Sequence, residues 1–210
     1  MKKIDIALLI GIILAIVVSN LKVFAQNYDN LKTDVVRLHI LANSDSDEDQ
    51  ALKLKVRDKI LETGKDLFDG SKSVEETERM IKEEMPELKK TAEQVIADNG
   101  YDYSVNCELV NMYFDERVYD EFTLPAGNYD AFRITIGKAE GHNWWCVMYP
   151  PLCLPAAMDE KEFEECFTPE EIDMIKNPKK YKVKFKIVEL YEKWFEKNNK
   201  TEIEKIKSDN

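Results

Sequence analysis

The stretch NSDSDED, residues 43–49, gathers carboxylates, hydroxyls and an amide between an apolar run and a charged one. Such oxygens can hold a divalent cation, supply paired carboxylates for acid–base chemistry, or start a helix. A calcium loop of the EF-hand kind needs oxygens at positions 1, 3 and 5, a glycine at 6 and a bidentate acid at 12. Counted from Asn43, those last two positions hold Glu48 and Leu54; counted from Asp45, they hold Gln50 and Val56. Neither frame has the turn glycine or the terminal acid. Helix initiation fits better. Ser44 or Ser46 can cap free N–H groups, and Asp47, Glu48 and Asp49 fall in the first turn, where a carboxylate gains about 0.3–1 kcal/mol. A divalent ion resting on Asn43 and Asp45 is the minor alternative; no metal site and no cofactor is expected.

The chain has two histidines. His39 lies in VVRLHIL, two residues from Arg37 and on the same face of a predicted strand, with Asn43 two alternations further on. This row, extended by Ser44 and Asp45, is the best polar constellation in the chain and a candidate partner-contact face. The plainer reading is the polar side of a strand that buries Val36, Leu38 and Ile40.

His142 and Cys146 suggest a Cys–His hydrolase, but four residues along a strand separate them by about 13 Å, too far for a nucleophile–base hydrogen bond. No G-x-S-x-G, H-E-x-x-H, P-loop or G-x-G-x-x-G occurs, nor the Asp-Thr/Ser-Gly of an aspartic protease. Cys146 and Cys153 enclose VMYPPL and can close on each other as a disulfide; the alternative is a small buried free thiol. Their spacing matches no zinc knuckle.

GHNWWCVMYPPLC carries Trp144 and Trp145 side by side. Neighbours on a strand point to opposite faces, so the two indoles cannot share a one-sided core. One of them, beside the Pro150–Pro151 turn, is a candidate binding hot spot; a strand covered on both faces is the alternative.

These groups need a scaffold. The chain has 210 residues, 34% charged and 44% hydrophobic, with net charge −11, which suits one globular domain with an appendage. Residues 1–25 differ from the rest. Lys2 and Lys3 precede an unbroken apolar run from Ile6 to Val18, and Val23 and Ala25 place small residues as at a cleavage site. The run is short for a span of about 20 residues, so it reads as a signal peptide, with an uncleaved N-terminal anchor as the alternative. Cleavage after Ala25 would remove Lys2, Lys3, Lys22 and Asp5, making the charge two units more negative. An exported acidic domain is a poor partner for nucleic acid and for anionic lipid. Membrane contact is expected only through the N-terminal segment, if it is uncleaved.

A single domain is expected over 33–196, with a frayed tail at 197–210. VVRLHIL reads as a buried strand. Leu52, Val56 and Ile60 make a helical stripe. Ser73 with Glu76 starts a second helical stretch, which Pro86 should divide in two. After Gly100 the period becomes two, through YDYSVNCELV, VYDEFTL and YDAFRITIG. GKAEG reads as a hairpin loop into NWWCVMY. TPEEIDMI starts like a helix, YKVKFKI alternates like a lysine-protected edge strand, and VELYEKWFEK returns to helical spacing. The sum is an α+β fold: an antiparallel sheet with helices mainly on one face, then a C-terminal strand and helix.

RLHILANSDSDEDQALKLKVRD, LPAGNYDAFRITIG and NWWCVMYPPLC, with KVKFKIVELYE as a weaker fourth motif, resemble the stage II sporulation protein R family of endospore-forming bacteria. The likeness covers about residues 35–192. It implies a non-catalytic signal, made in the forespore and exported into the space between its membrane and that of the mother cell. The partner it implies is a membrane-embedded aspartic protease, the sporulation sigma-E factor processing peptidase, which removes the pro-segment of the mother-cell sigma factor. The contact residues expected from chemistry are Arg37, His39, Asn43, Ser44, Asp45, Trp144, Trp145, Pro150 and Pro151.

Overall fold

The structure, a computed structural model, describes residues 3–68, 73–119, 122–150 and 164–191. Pro151, Cys153 and the tail at 197–210 lie outside these residues. In chain order the elements are α1 (Lys3–Thr33), β1 (Val36–Leu41), α2 (Asp47–Phe68), α3 (Val74–Asp98), β2 (Val105–Phe114), β3 (Arg117–Tyr119), β4 (Phe122–Leu124), β5 (Gly127–Ile136), β6 (Asn143–Tyr149) and α4 (Pro169–Lys176). A further helix runs over 178–191. The class is α+β. Two compact units result: Leu31–Phe114 with Asn128–Thr168, and Met1–Asn30 with Asp115–Gly127 and Pro169–Asn210.

The first unit holds a four-stranded sheet in the order β2-β5-β1-β6. Strand β1 is central because both of its neighbours can stack apolar side chains on one face. Leu38 sits opposite Phe132 and Cys146, and Ile40 opposite Ile134 and Trp144. These residues share one core with Leu52, Val56 and Ile60 of α2 and with Ile81, Leu88, Ala92 and Ile96 of α3. Each aliphatic side chain buried there contributes about 1.5–3 kcal/mol.

The sheet is mixed, not antiparallel: β1 runs parallel to β5 and antiparallel to β6. Strand β2 is antiparallel to β5, since Ser104, Glu108 and Asn111 meet Gly137, Arg133 and Asp130 in opposite order. Alternation along one strand is the same whichever way its neighbour runs, so it carries no direction. For the same reason GKAEG is not a hairpin loop. Strand β1 lies between β5 and β6, and the loop crosses the end of β1 to join them.

Ser73 Oγ accepts the Glu76 N–H at 3.1 Å, capping α3 as its spacing predicts. Pro86 does not divide this helix, which is continuous over Val74–Asp98. The buried stripe Ile81–Leu88–Ala92–Ile96 spans the proline, and its packing outweighs the single backbone bond that proline removes.

In the second unit VYDEFTL forms two three-residue strands, β3 and β4, paired antiparallel, with Tyr119 and Phe122 stacked at 5.0 Å. The expected C-terminal strand YKVKFKI is helical. Tyr181, Phe185 and Val188 recur at helical spacing and pack with Phe24 and Tyr28 of α1 and Met174 of α4. Lysine–apolar alternation over seven residues mimics a strand, but Pro178 at the helix start and this longer stripe favour the helix. Helix α1 does not break at Ala25. Its most apolar 18 residues have mean hydropathy 2.6 and are not buried, so by length and composition it can cross a membrane; a signal sequence would pass the same test.

Candidate functional site

The segment after β1 begins two helical turns before its chemistry is complete. Ser46 Oγ accepts the Asp49 N–H at 3.2 Å and so caps α2. That turn places the Asp49 side chain inward, where the residue is 5% exposed. Its Oδ2 accepts from Asn43 Nδ2 at 2.8 Å and from Ser44 Oγ at 2.5 Å. Burial works against the Asp49 charge, but hydrogen bonds from Ser44, Asn43 and Tyr103 outweigh it and hold the carboxyl below its ordinary range.

The same residues fasten the loop that crosses β1. Lys138 N–H donates to Asn43 Oδ1 at 3.0 Å, and His142 N–H to Asp45 Oδ1 at 2.5 Å. Glu140 and Gly141 N–H donate to the carbonyls of Asn43 and Ala42 at 3.2 and 3.1 Å. Lys53 Nζ closes the cluster, donating to Gln50 Oε1 at 2.6 Å and to the His142 carbonyl at 2.9 Å. Burial lowers the Lys53 pKa, against the raising effect of Asp45. Two glycines make this approach possible. A Cβ on Gly137, whose φ is +57°, would lie 2.2 Å from Asn43 Oδ1; one on Gly141 would lie 2.1 Å from the Ser44 carbonyl oxygen.

Of the acids of NSDSDED, Asp49 is therefore spent on the side chains of Asn43, Ser44 and Tyr103, and Asp45 on the backbone and ring of His142. Among the described residues no three His, Cys, Asp or Glu side chains are placed to hold a metal ion. What faces outward is the pair His142 and Asp45, whose side chains are 78% and 54% exposed, with Nδ1 and Oδ1 2.5 Å apart.

Arg37 and His39 lie on the sheet face opposite the helices, but they are buried, at 0% and 2% exposure. They sit in an aromatic cluster. His39 stacks on Trp145 at 4.2 Å, Phe114 meets Trp145 at 4.7 Å, and the Arg37 guanidinium lies 4.1 Å from the Phe114 ring centre and 5.0 Å from that of Tyr129. Neither ring nitrogen of His39 makes a hydrogen bond. Burial, reinforced by the charges of Arg133 and Arg37, pulls its pKa down to about 4. Across the sheet Trp144 joins the helix-side core, with the Arg57 guanidinium 5.0 Å from its ring. The two indoles do point to opposite faces. Pro150 is buried at the end of β6.

The expected contact residues that the structure describes thus fall in four places: Asn43, Ser44 and Asp45 at the end of β1, Arg37, His39 and Trp145 beneath one face, Trp144 on the other, and Pro150 at the end of β6. Sequence reasoning passed over Asp49, Lys53, Gly137 and Gly141. Two glycines flanking KAE in a chain with seven in all were the available signal. Cys146 is disulfide-bonded, so its sulfur carries no thiolate for a Cys–His pair with His142. Cys107 and Cys166 are not in disulfides, and burial pushes the Cys107 thiol up to about 11.

An apolar N-terminal helix that fits a signal sequence or an anchor, and a small sheet domain whose polar cluster fastens loops, define the class as an α+β protein with an apolar leader helix. The sequence comparisons place it more narrowly. The family profile of stage II sporulation protein R matches residues 32–159, and the chain belongs to that family. It is 38% identical over 133 residues to the Stage II sporulation protein R of Bacillus subtilis (strain 168); the match covers 61% of this chain and 59% of that protein's length. No solved structure matches the chain.

Proposed function

We propose that this protein is an exported signal of sporulation that activates a membrane-embedded aspartic protease, the sporulation sigma-E factor processing peptidase, and so causes cleavage of a mother-cell pro-sigma factor. Its place is the space between the forespore and mother-cell membranes, either secreted or held by α1. The observation that carries this reading is membership of the stage II sporulation protein R family in a chain headed by an apolar helix.

An activator that performs no chemistry must bind the active arrangement of its target more tightly than the resting one, because equal binding shifts nothing. The end of β1 suits that task. Asp45 and His142 are exposed, yet each is fixed by bonds to the crossing loop. A surface already ordered loses little entropy on binding.

The test is co-expression in a non-sporulating host of three components: this chain, the peptidase and the pro-sigma factor. Cleavage of the pro-segment should appear only when all three are present. Cleavage without the peptidase would make this chain the protease, and cleavage without this chain would remove its role as activator.

A further inference from the structure

We propose that the helix at 178–191 lies on the bilayer surface at the foot of α1, with Val183, Ile187, Leu190 and Tyr191 in the interfacial layer and the flanking lysines on anionic phosphate headgroups.

The helix has two apolar faces. Tyr181, Phe185 and Val188 face inward and pack with Phe24 and Tyr28. The other face is exposed: Val183, Ile187, Leu190 and Tyr191 are 72%, 45%, 57% and 62% exposed. At 100° per residue these four fall within one 100°-wide stripe opposite the packed side. Lys184 borders that stripe on one side, and Lys179, Lys182 and Lys186 border it on the other. The stretch carries five lysines and one glutamate, in a chain of net charge −11. Lys180 is paired with Asp173, and Lys186 with Glu189 at 3.0 Å. Lys179, Lys182 and Lys184 make no ion pair among the described residues. An exposed apolar stripe edged by lysines is the pattern of a helix that rests in a lipid interface.

The contact with α1 chooses lipid over a protein groove. Lys184 Nζ lies 5.3 Å from the Phe24 ring centre, and Tyr181 stacks on Phe24 at 5.6 Å. Lys184 also lines a cleft with Asn20 and Val23. Those residues follow directly on the exposed apolar run of α1, which ends at Val18. A hydrocarbon layer of about 30 Å takes about 20 helical residues, so a span that starts at Ile4 reaches Val23 and leaves Phe24, with the lysines beside it, at headgroup depth. The acidic balance of the whole chain argues against anionic lipid; this local reversal argues for it at one place.

The test uses the full chain, with Cys107→Ala and Cys166→Ala, reconstituted in vesicles of phosphatidylcholine with or without phosphatidylglycerol. An environment-sensitive fluorophore is attached at Ile187→Cys, and in separate samples at Ile12→Cys. Nitroxide lipids report the depth of each. The Ile187 label should be quenched by a shallow nitroxide more strongly in the anionic vesicles than in phosphatidylcholine alone. Lys182→Gln and Lys184→Gln should each lower the ratio of docked to undocked helix about fivefold. An Ile187 label that the shallow nitroxide quenches no more in the anionic vesicles than in phosphatidylcholine alone overturns the proposal. So does an Ile12 label that no deep nitroxide reaches, since α1 then spans nothing. Shielding of Ile187 that appears only on adding another protein would assign the stripe to a protein partner and overturn the lipid assignment.

Discussion

Replacing Asp49 by alanine removes the carboxylate on which Asn43 and Ser44 converge, at 2.8 and 2.5 Å, together with its bond from Tyr103. Hydrogen bonds to a charged group contribute about 1.5–3 kcal/mol each. The three donors are half-buried and can turn to water once the acid is gone, and removing a buried charge also relieves its desolvation. The expected net loss is about 2–3 kcal/mol near neutral pH. The sign with pH follows from the depressed pKa. The unfolded chain takes up its proton on Asp49 before the folded chain does, so this stabilisation is complete above the ordinary carboxylate value and is lost as pH falls through the lower, folded value. Urea unfolding of the full chain in non-ionic detergent, followed by Trp144 and Trp145 fluorescence, measures the difference between wild type and Asp49→Ala at pH 7 and again near pH 2. The gap should narrow in acid. A gap below about 0.5 kcal/mol at pH 7, or one unchanged in acid, would refute the role given to this carboxylate.

Gly141→Ala should destabilise by about 2–4 kcal/mol in the same assay, because its Cβ meets the Ser44 carbonyl and the crossing loop must lift from β1, losing backbone bonds worth about 1 kcal/mol each. His39→Phe keeps the stack on Trp145 but removes a base held near 4; wild-type stability should fall as pH drops from about 6.5 towards 4, by an amount on the order of 3 kcal/mol, and the variant should stay flat across that window. Cys107, pushed up to about 11, should react with iodoacetamide slowly at pH 8 and about tenfold faster per pH unit up to pH 10.

Local signals were legible where the neighbouring chain decides the structure. Ser46 and Ser73 cap helices because a hydroxyl placed three residues before a free N–H does so in most settings. The alternation of Val36, Leu38 and Ile40 against Arg37 and His39 gave the two faces of β1 correctly. It did not say that both faces are covered, so Arg37 and His39 read as a surface row when they are buried under aromatics. Strand order was illegible because GKAEG has the length of a hairpin loop, and nothing inside it tells that β1 passes between. YKVKFKI failed for a different reason: a seven-residue window satisfies both periods, and only Tyr181, Phe185 and Val188 taken together with Phe24 and Tyr28 separate them.

A catalytic carboxylate is held by a few contacts and left with a free face towards substrate, whereas Asp49 is buried and accepts from Asn43 and Ser44 of its own loop and from Tyr103. Asp45 has the opposite balance. One of its oxygens fixes the His142 backbone and ring, and the side chain remains 54% exposed. Binding through such a group can discriminate between two states of a receptor. Shifting an equilibrium from 1:99 to 99:1 needs about 5.5 kcal/mol of differential affinity. Two or three well-packed contacts supply that amount when they form with only one of the states. Under the proposed function rigidity would make the discrimination sharp, because a mobile Asp45–His142 pair would follow the proposed receptor between its states and bind both alike. If the proposed activation is right, loosening the loop by Gly141→Ala should weaken pro-sigma cleavage in the co-expression assay more than it weakens binding to the resting peptidase, a difference that a purely structural defect would not produce.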